Sequence, residues 1–178
     1  DGYIGNTSSF VIPSTSLSLG NHTISVRLKD SSGNWSGWSN FTYKVYETPT
    51  VDSWNISTWM DDQGDRVFFN GTGDDTDGTI VGYRWESSID GNLSNAPQFN
   101  TTNLSLGNHM IYFSVGNTEG YRSEKATAFV WIYAVPVASA NHFDWNDAPP
   151  KNRVEPEEEV VFKGGGSDED GMIILYEW

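Results

Sequence analysis

The chain has 178 residues, no cysteine and a net charge of −14. Such a length admits one or two domains. The missing thiols exclude a disulfide framework, a thiolate metal site and a cysteine nucleophile, and the acid excess argues against nucleic acid or an anionic membrane surface as partner. Aromatics make up 14% of the chain, with eight Trp, eight Tyr and nine Phe, enough to fill substantial cores. No window sustains apolar residues at helical spacing, and Gly, Pro or Asn-Gly signals interrupt the chain every 8 to 12 residues. Short antiparallel strands, an all-β chain, are expected.

In chain order, the turn Leu19-Gly20-Asn21-His22 precedes Ile24, Val26 and Leu28, which alternate with Ser25 and Arg27. Phe41, Tyr43 and Val45 form the next alternating set, and Thr48-Pro49-Thr50 breaks it. Phe68-Phe69 then leads into the acidic loop Gly73-Asp74-Asp75-Thr76-Asp77-Gly78, followed by Val81, Tyr83 and Trp85 on one expected face. Leu104-Ser105-Leu106-Gly107-Asn108-His109 repeats the segment that starts at Leu17, at an offset of 87, and precedes Ile111, Phe113 and Val115. Ala128, Val130 and Ile132 fall at the same offset from Phe41, Tyr43 and Val45. After a second break at Ala134-Val135-Pro136, Val161-Phe162 and the loop Gly166-Ser167-Asp168-Glu169-Asp170-Gly171 repeat Phe68-Phe69 and the first acidic loop at an offset of 93. Ile174, Tyr176 and Trp178 then fall on Val81, Tyr83 and Trp85.

A period of about 90 residues is the size of a sandwich domain rather than of a solenoid repeat. Residues 48–134 are expected to form one complete antiparallel β-sandwich. Residues 1–47 match only its second half, with Asp1-Gly2 on Asp90-Gly91, and residues 135–178 match only its first half. Phe69, Trp85, Ile111, Phe113, Val130 and Trp178 are the expected core. The two halves are expected to be completed by other copies of the chain or by adjacent repeats, head to tail. No apolar run of 18 residues and no signal peptide is present, so any targeting or anchoring segment is expected outside this stretch, with no direct membrane insertion within it.

Gly-x-x-Asp-x-Asp-Gly, then Ile-x-x-Tyr-x-Trp, then Asp-Gly, then Leu-Ser-Leu-Gly-Asn-His resembles the PKD-type (polycystic-kidney-disease-like) Ig-fold repeats of archaeal and bacterial cell-surface proteins. Val160-Val161-Phe162-x-Gly164 and Asp30-x-x-Gly33-x-Trp35-Ser36 fit the same pattern. Where that family has Trp-x-Phe-Gly-Asp-Gly, this chain has Trp85-Glu86-Ser87-Ser88-Ile89-Asp90-Gly91. The resemblance implies tandem Ig-like modules in spacing, adhesion or assembly roles, and points to a subgroup of archaeal surface arrays.

Nine of fifteen asparagines begin an Asn-x-Ser/Thr sequon: Asn6, Asn21, Asn34, Asn40, Asn55, Asn70, Asn92, Asn100 and Asn103. N-linked glycans and an extracellular, cell-surface location are expected. Asp74, Asp75 and Asp77, with Asp168, Glu169 and Asp170 in the second loop, are candidate Ca²⁺ ligands, because hard cations take six to eight oxygens. The alternative is turn chemistry, in which Asp accepts local backbone N–H bonds. Asp61, Asp62 and Asp65 form a further acidic set expected at the same end of the domain. His22 and His109 share one repeat position and read as structural. Trp35 and Trp38 are candidates for a sugar-binding platform or for packing. No nucleophile elbow, phosphate loop or metal-binding histidine pair is present, so no enzymatic activity is expected. The resulting expectation is a structural unit of a glycosylated surface filament or array. The alternatives are an adhesive or carbohydrate-binding module of a larger secreted or surface protein, and an accessory segment of a secreted hydrolase.

Overall fold

The computed structural model describes residue 2, residues 4–143, residue 157 and residues 161–178. Apart from one 3-10 turn at Ser14–Ser16, every regular element among them is a strand. These are β1 (Gly20–Val26), β2 (Ser39–Val45), β3 (Thr50–Ile56), β4 (Met60–Asp62), β5 (Val67–Asp74), β6 (Ile80–Ser87), β7 (Gly91–Ser94), β8 (Gln98–Thr101), β9 (Gly107–Asn117), β10 (Ala126–Tyr133), β11 (Val137–Phe143) and β12 (Val161–Ser167).

Strands β3 to β10 build a two-layer sandwich. One layer has the order β4-β10-β9-β6-β7 and the other β3-β5-β8. All pairings are antiparallel except β4 with β10. Period-2 alternation sends Val67 and Phe69 of β5 against Ile111, Phe113 and Val115 of β9, and all five are buried. Trp85 and Val130 are buried in the same core, so the five expected core residues of the central segment lie where the alternation put them. Trp85 stacks on Phe113 at 4.2 Å, and Phe69 meets the indole edge-on at 5.4 Å. Gly71 and Gly73 face inward from β5 because the opposite layer leaves no room: a Cβ at Gly71 would lie 2.3 Å from Phe113 Cζ, and one at Gly73 would lie 2.6 Å from a Val115 methyl. Val81 departs from expectation. A bulge between Ile80 and Gly82 shifts the register of β6 against β9, and Val81 is 62% exposed.

The two flanking segments each form a separate two-stranded sheet, β1-β2 and β11-β12. The β1–β2 register, from Gly20↔Val45 to Val26↔Ser39, equals the β9–β10 register, from Gly107↔Ile132 to Phe113↔Ala126, at the offset of 87. The turns that follow β1 and β9 agree as well. Asp30 and Asn117 donate their backbone N–H to Asn34 and Tyr121, and Leu28 and Val115 donate theirs to the hydroxyls of Ser36 and Ser123. In the other segment, Val137↔Ser167 reproduces Thr50↔Asp74.

Trp178, expected in the core, is 75% exposed. Residues 172–178 form no strand, whereas their counterparts include β6. The reason is topological. β6 is held and covered by β9, and among the described residues no strand pairs with residues 172–178. The expectations on Asp1 and on the side chains of His142, Val161 and Phe162 fall outside the described residues.

Candidate functional site

The first acidic loop joins β5 to β6 and meets the end of the preceding segment. Asp75 Oδ1 accepts the backbone N–H of Asp77 at 3.2 Å and of Gly78 at 2.9 Å, and its Oδ2 accepts the Asn117 side-chain amide at 2.7 Å. The Asn117 bond first, with those two backbone N–H groups, holds the Asp75 carboxyl below its ordinary value. Gly78 is required here, because a Cβ would sit 2.9 Å from Asp75 Oδ2 and closer still to Glu119. The loop so fixed turns Asp77 toward the chain before β3. Asp77 Oδ1 accepts the backbone N–H of Glu47 at 3.0 Å, and Lys44 Nζ lies 3.6 Å from its buried Oδ2. Thr76 donates its hydroxyl to the Glu47 carboxylate, and the Tyr46 and Tyr121 rings lie 5.8 Å apart.

The second acidic loop repeats this arrangement. Asp170 donates its N–H to Asp168 Oδ1 at 3.4 Å, as Asp77 does to Asp75. A Cβ at Gly171 would lie 2.7 Å from Asp168 Oδ2. Asp170 Oδ2 accepts the backbone N–H of Ala134 at 3.0 Å. Among the described residues, no three acidic or histidine side chains converge in a way that could hold a metal ion.

Asp61, Asp62 and Asp65 do not join the first loop. They sit beside the end of β10, where Asp62 pairs with Tyr133 and Gln63 donates its N–H to the Tyr133 carbonyl. That is the Gly107 end of β9, whereas Asp75 is bound to Asn117 at the other end, about 30 Å away along a strand of this length. A hydrogen bond with Asp61, then its charge, pushes the Asp65 carboxyl above its ordinary value.

His109 is fully buried. Its Nε2 lies 2.6 Å from the Ser105 carbonyl, which can only accept, so Nε2 carries a proton. Its Nδ1 lies 2.7 Å from Ser87 Oγ and 3.5 Å from Asp90 Oδ2. Ser87 Oγ also accepts the N–H groups of Ile89 and Asp90. This Ser–His–Asp grouping locks the β6–β7 turn onto β9. It offers no reactive hydroxyl to a substrate, because Ser87 is buried with it. The signal for its structural use was the repeated histidine: His22 Nε2 lies 2.7 Å from the Ser18 carbonyl, the same bond one offset earlier.

All nine sequon asparagines are exposed. Asn55 and Asn70 are direct cross-strand neighbours, and Asn70 and Asn100 share the outer face of the three-stranded layer. Trp35 and Trp38 are exposed, and the Arg27 guanidinium lies 4.2 Å and 4.6 Å from their ring centres, a cation stacked against one face of each. An open apolar cleft is lined by Phe10, Ile12, Leu17, Ile24, Phe41 and Tyr43. It faces the side of β1-β2 that, in β9-β10, meets the opposite layer.

No family model matches the chain. The rat homolog of the dyslexia-associated protein KIAA0319 (Rattus norvegicus) is 26% identical over 121 residues, which is 63% of this chain and 10% of that protein. The human protein (Homo sapiens) is 29% identical over 118 residues, 59% of this chain and 10% of that protein. The match thus spans about a tenth of the length of these relatives. Among solved structures, the chain is similar to the PKD1 domain of Vibrio anguillarum Epp, at 19% identity and a TM-score of 0.39 over 49% of this chain and 99% of that one. It is also similar to the fibronectin(III)-like modules of Clostridium thermocellum CbhA, at 16% identity and a TM-score of 0.45 over 66% of this chain and 65% of that one. The described residues themselves, with strands as their extended elements and β3 to β10 in two packed layers, make this an all-β protein built on a β-sandwich module.

Proposed function

We propose that this chain is a structural segment of an extracellular, N-glycosylated array in which β-sandwich modules join head to tail, each half-module being completed by the complementary half of an adjacent repeat or of another copy. One observation carries the reading. Trp85, Phe113 and Val115 are fully buried against one another's strands, while their counterparts Trp178, Val26 and Leu28 are 75%, 55% and 71% exposed at opposite ends of the chain. Trp85 pairs with Phe113 and Tyr83 with Val115 across β6 and β9. The same register sets Trp178 opposite Val26 and Tyr176 opposite Leu28 of a neighbour. Burying side chains of the Val or Leu class contributes about 1.5–3 kcal/mol each, so a completed module carries a large drive to form. A contact of this kind is heterologous, and it propagates as a fibre unless its rotation closes a ring.

Exposure of all nine sequon asparagines supports the glycosylated, extracellular part of the reading. Intact mass of native material is expected to exceed the polypeptide mass by several glycans, and the bare mass would refute it. For the array, sedimentation velocity and electron microscopy of the purified chain are expected to show end-to-end growth with concentration. Val26→Asp, which puts a charge where a core residue is required, is expected to arrest it. A single monomeric species at every concentration would refute completion of the half-modules by another copy.

A further inference from the structure

The same hydrogen bond occurs at both joints of the chain. Glu47 gives its backbone N–H to Asp77 at 3.0 Å, and Ala134 gives its backbone N–H to Asp170 at 3.0 Å. Glu47 and Ala134 correspond at the offset of 87, and Asp77 and Asp170 correspond at the offset of 93. The donors share nothing in their side chains, and only the amide is common. Lys44, the cation near Asp77, has Trp131 as its counterpart, so the ion pair is not the shared feature. Beyond each donor, Pro49 and Pro136 occupy the same place, and the next module's first strand begins one residue later, at Thr50 and Val137. Each proline fixes its own φ and removes an amide that would compete for the acceptor.

From this recurrence we infer that the acidic loop is a module-to-module coupling surface. Its last aspartate captures the backbone amide at the end of the preceding module and fixes the angle at which the next module leaves. The first aspartate of the motif, Asp75 or Asp168, builds the turn that aims the second, through the N–H of Asp77 or Asp170. The glycine after it lets that turn close, because a Cβ at Gly78 or Gly171 would lie within 3 Å of the first aspartate's carboxylate. The partner is thus the backbone just past the last strand of the preceding module, recognised without regard to its side chain. A connection of four residues at the first joint and three at the second, held by proline on one side and a captured amide on the other, makes a stiff joint, repeated at the same place in each unit. This rests on the modular reading above but is tested inside one chain.

The test is amide hydrogen exchange by NMR on the full chain carrying Val26→Asp, so that association does not contribute. In this background the Glu47 and Ala134 amides are expected to be protected. Asp77→Ala is expected to raise Glu47 exchange by about tenfold, the factor for one hydrogen bond of ordinary net strength. Asp77→Asn, which keeps an acceptor oxygen, is expected to preserve protection. Asp170→Ala is expected to release Ala134 alone, an independent measurement at the second joint. Continued protection at Phe113 in each variant reports that the sandwich remains folded. Small-angle scattering of the Asp77→Ala/Asp170→Ala double variant is expected to show a broadened distance distribution. Glu47 or Ala134 amides exchanging at the unprotected rate in the parent, or no change in Asp77→Ala and Asp170→Ala, would overturn the inference. Neither outcome bears on end-to-end growth.

Discussion

Gly71 and Gly164 occupy the same position on β5 and β12, and alanine at the two sites is expected to act in different ways. At Gly71 the added Cβ would meet three Phe113 ring atoms between 2.3 and 2.9 Å. Phe113 cannot retreat, since it is fully buried and stacked on Trp85 at 4.2 Å. Such overpacking costs about 1–3 kcal/mol, against which the lower unfolded-state entropy of alanine returns about 0.4–1 kcal/mol. The net loss of roughly 1–2 kcal/mol lowers the melting temperature of a module of this size by about 4–16 °C. At Gly164 the Cβ would meet Trp178 at 2.9 Å. That indole is 75% exposed and has solvent to swing into. Gly164→Ala is therefore expected to leave the melting temperature of the dilute chain unchanged within about 1 °C, since surface changes without a packing consequence are small. In the assembled state, however, the space over Gly164 is needed by the neighbour's Val26, the counterpart of Phe113, so the same substitution is expected to weaken end-to-end growth. Thermal unfolding followed by Trp fluorescence, with sedimentation in parallel, reads both effects. A melting temperature for Gly71→Ala equal to that of the parent would refute the packing argument, and Gly164→Ala assembling as well as the parent would refute its transfer to the joined halves.

Asp75 links the first loop to pH. Its carboxyl is held below the ordinary value by Asn117, so its contribution to stability is complete above the unfolded value near pH 4 and is lost as pH falls through the lowered folded value. Asn117→Ala is expected to move the acid limb of the melting curve to higher pH, and an unmoved limb would refute the assignment. Asp65 has the opposite sign: with its carboxyl raised by Asp61, the favourable protonated arrangement is present at low pH and is lost as pH rises through the raised value. Asp65→Asn is expected to raise the melting temperature at neutral pH relative to the parent, which a melting series in pH reads directly. Chelation of divalent cations is expected to leave the melting temperature unchanged, because Asp75 and Asp77 already face backbone amides, Asn117 and Lys44. A fall on chelation would reassign the loop to a metal, since a ligand specific to the native state must stabilise it.

The parts of the fold that sequence reading anticipates are those set by period-2 alternation, which is a local property. Ile111, Phe113 and Val130 are buried because their strands have one wet and one dry face, and each strand carries that pattern in its own residues. Val81 escaped because a bulge is a relation between two strands, and nothing in Thr79-Ile80-Val81-Gly82 alone marks which residue β9 will skip. The Ser87–His109 bond is hidden for the same reason, its partners being 22 residues apart. Trp178 shows a different limit. Its residue pattern is that of a core strand, but burial is a property of what covers the strand, and no strand among the described residues pairs with this segment. The role of Asp77 was half visible. Repetition of Asp-x-Asp-Gly singled out the loop, while its acceptor function depends on an amide 30 residues away that carries no side-chain signature.

The two offsets locate one remaining difference between the modules. Val137 falls on Thr50 at 87, but Ser167 falls on Asp74 at 93, and these four residues form the same cross-strand pair in both places. That common pair places the six extra residues in sequence between Val137 and Ser167. In the complete module that stretch carries β4, which closes the sheet beside β10. The two hairpins share the pairs next to the acidic loop, and beyond them the bulge between Val51 and Ser53 of β3, absent from β11, sets their registers one residue apart. The joint can therefore stay constant along the proposed array while the connection between a module's first two long strands varies in length. In the array proposed above, the length of that connection is a feature in which modules differ, and the aspartate clamp at Glu47–Asp77 and Ala134–Asp170 is a feature they share.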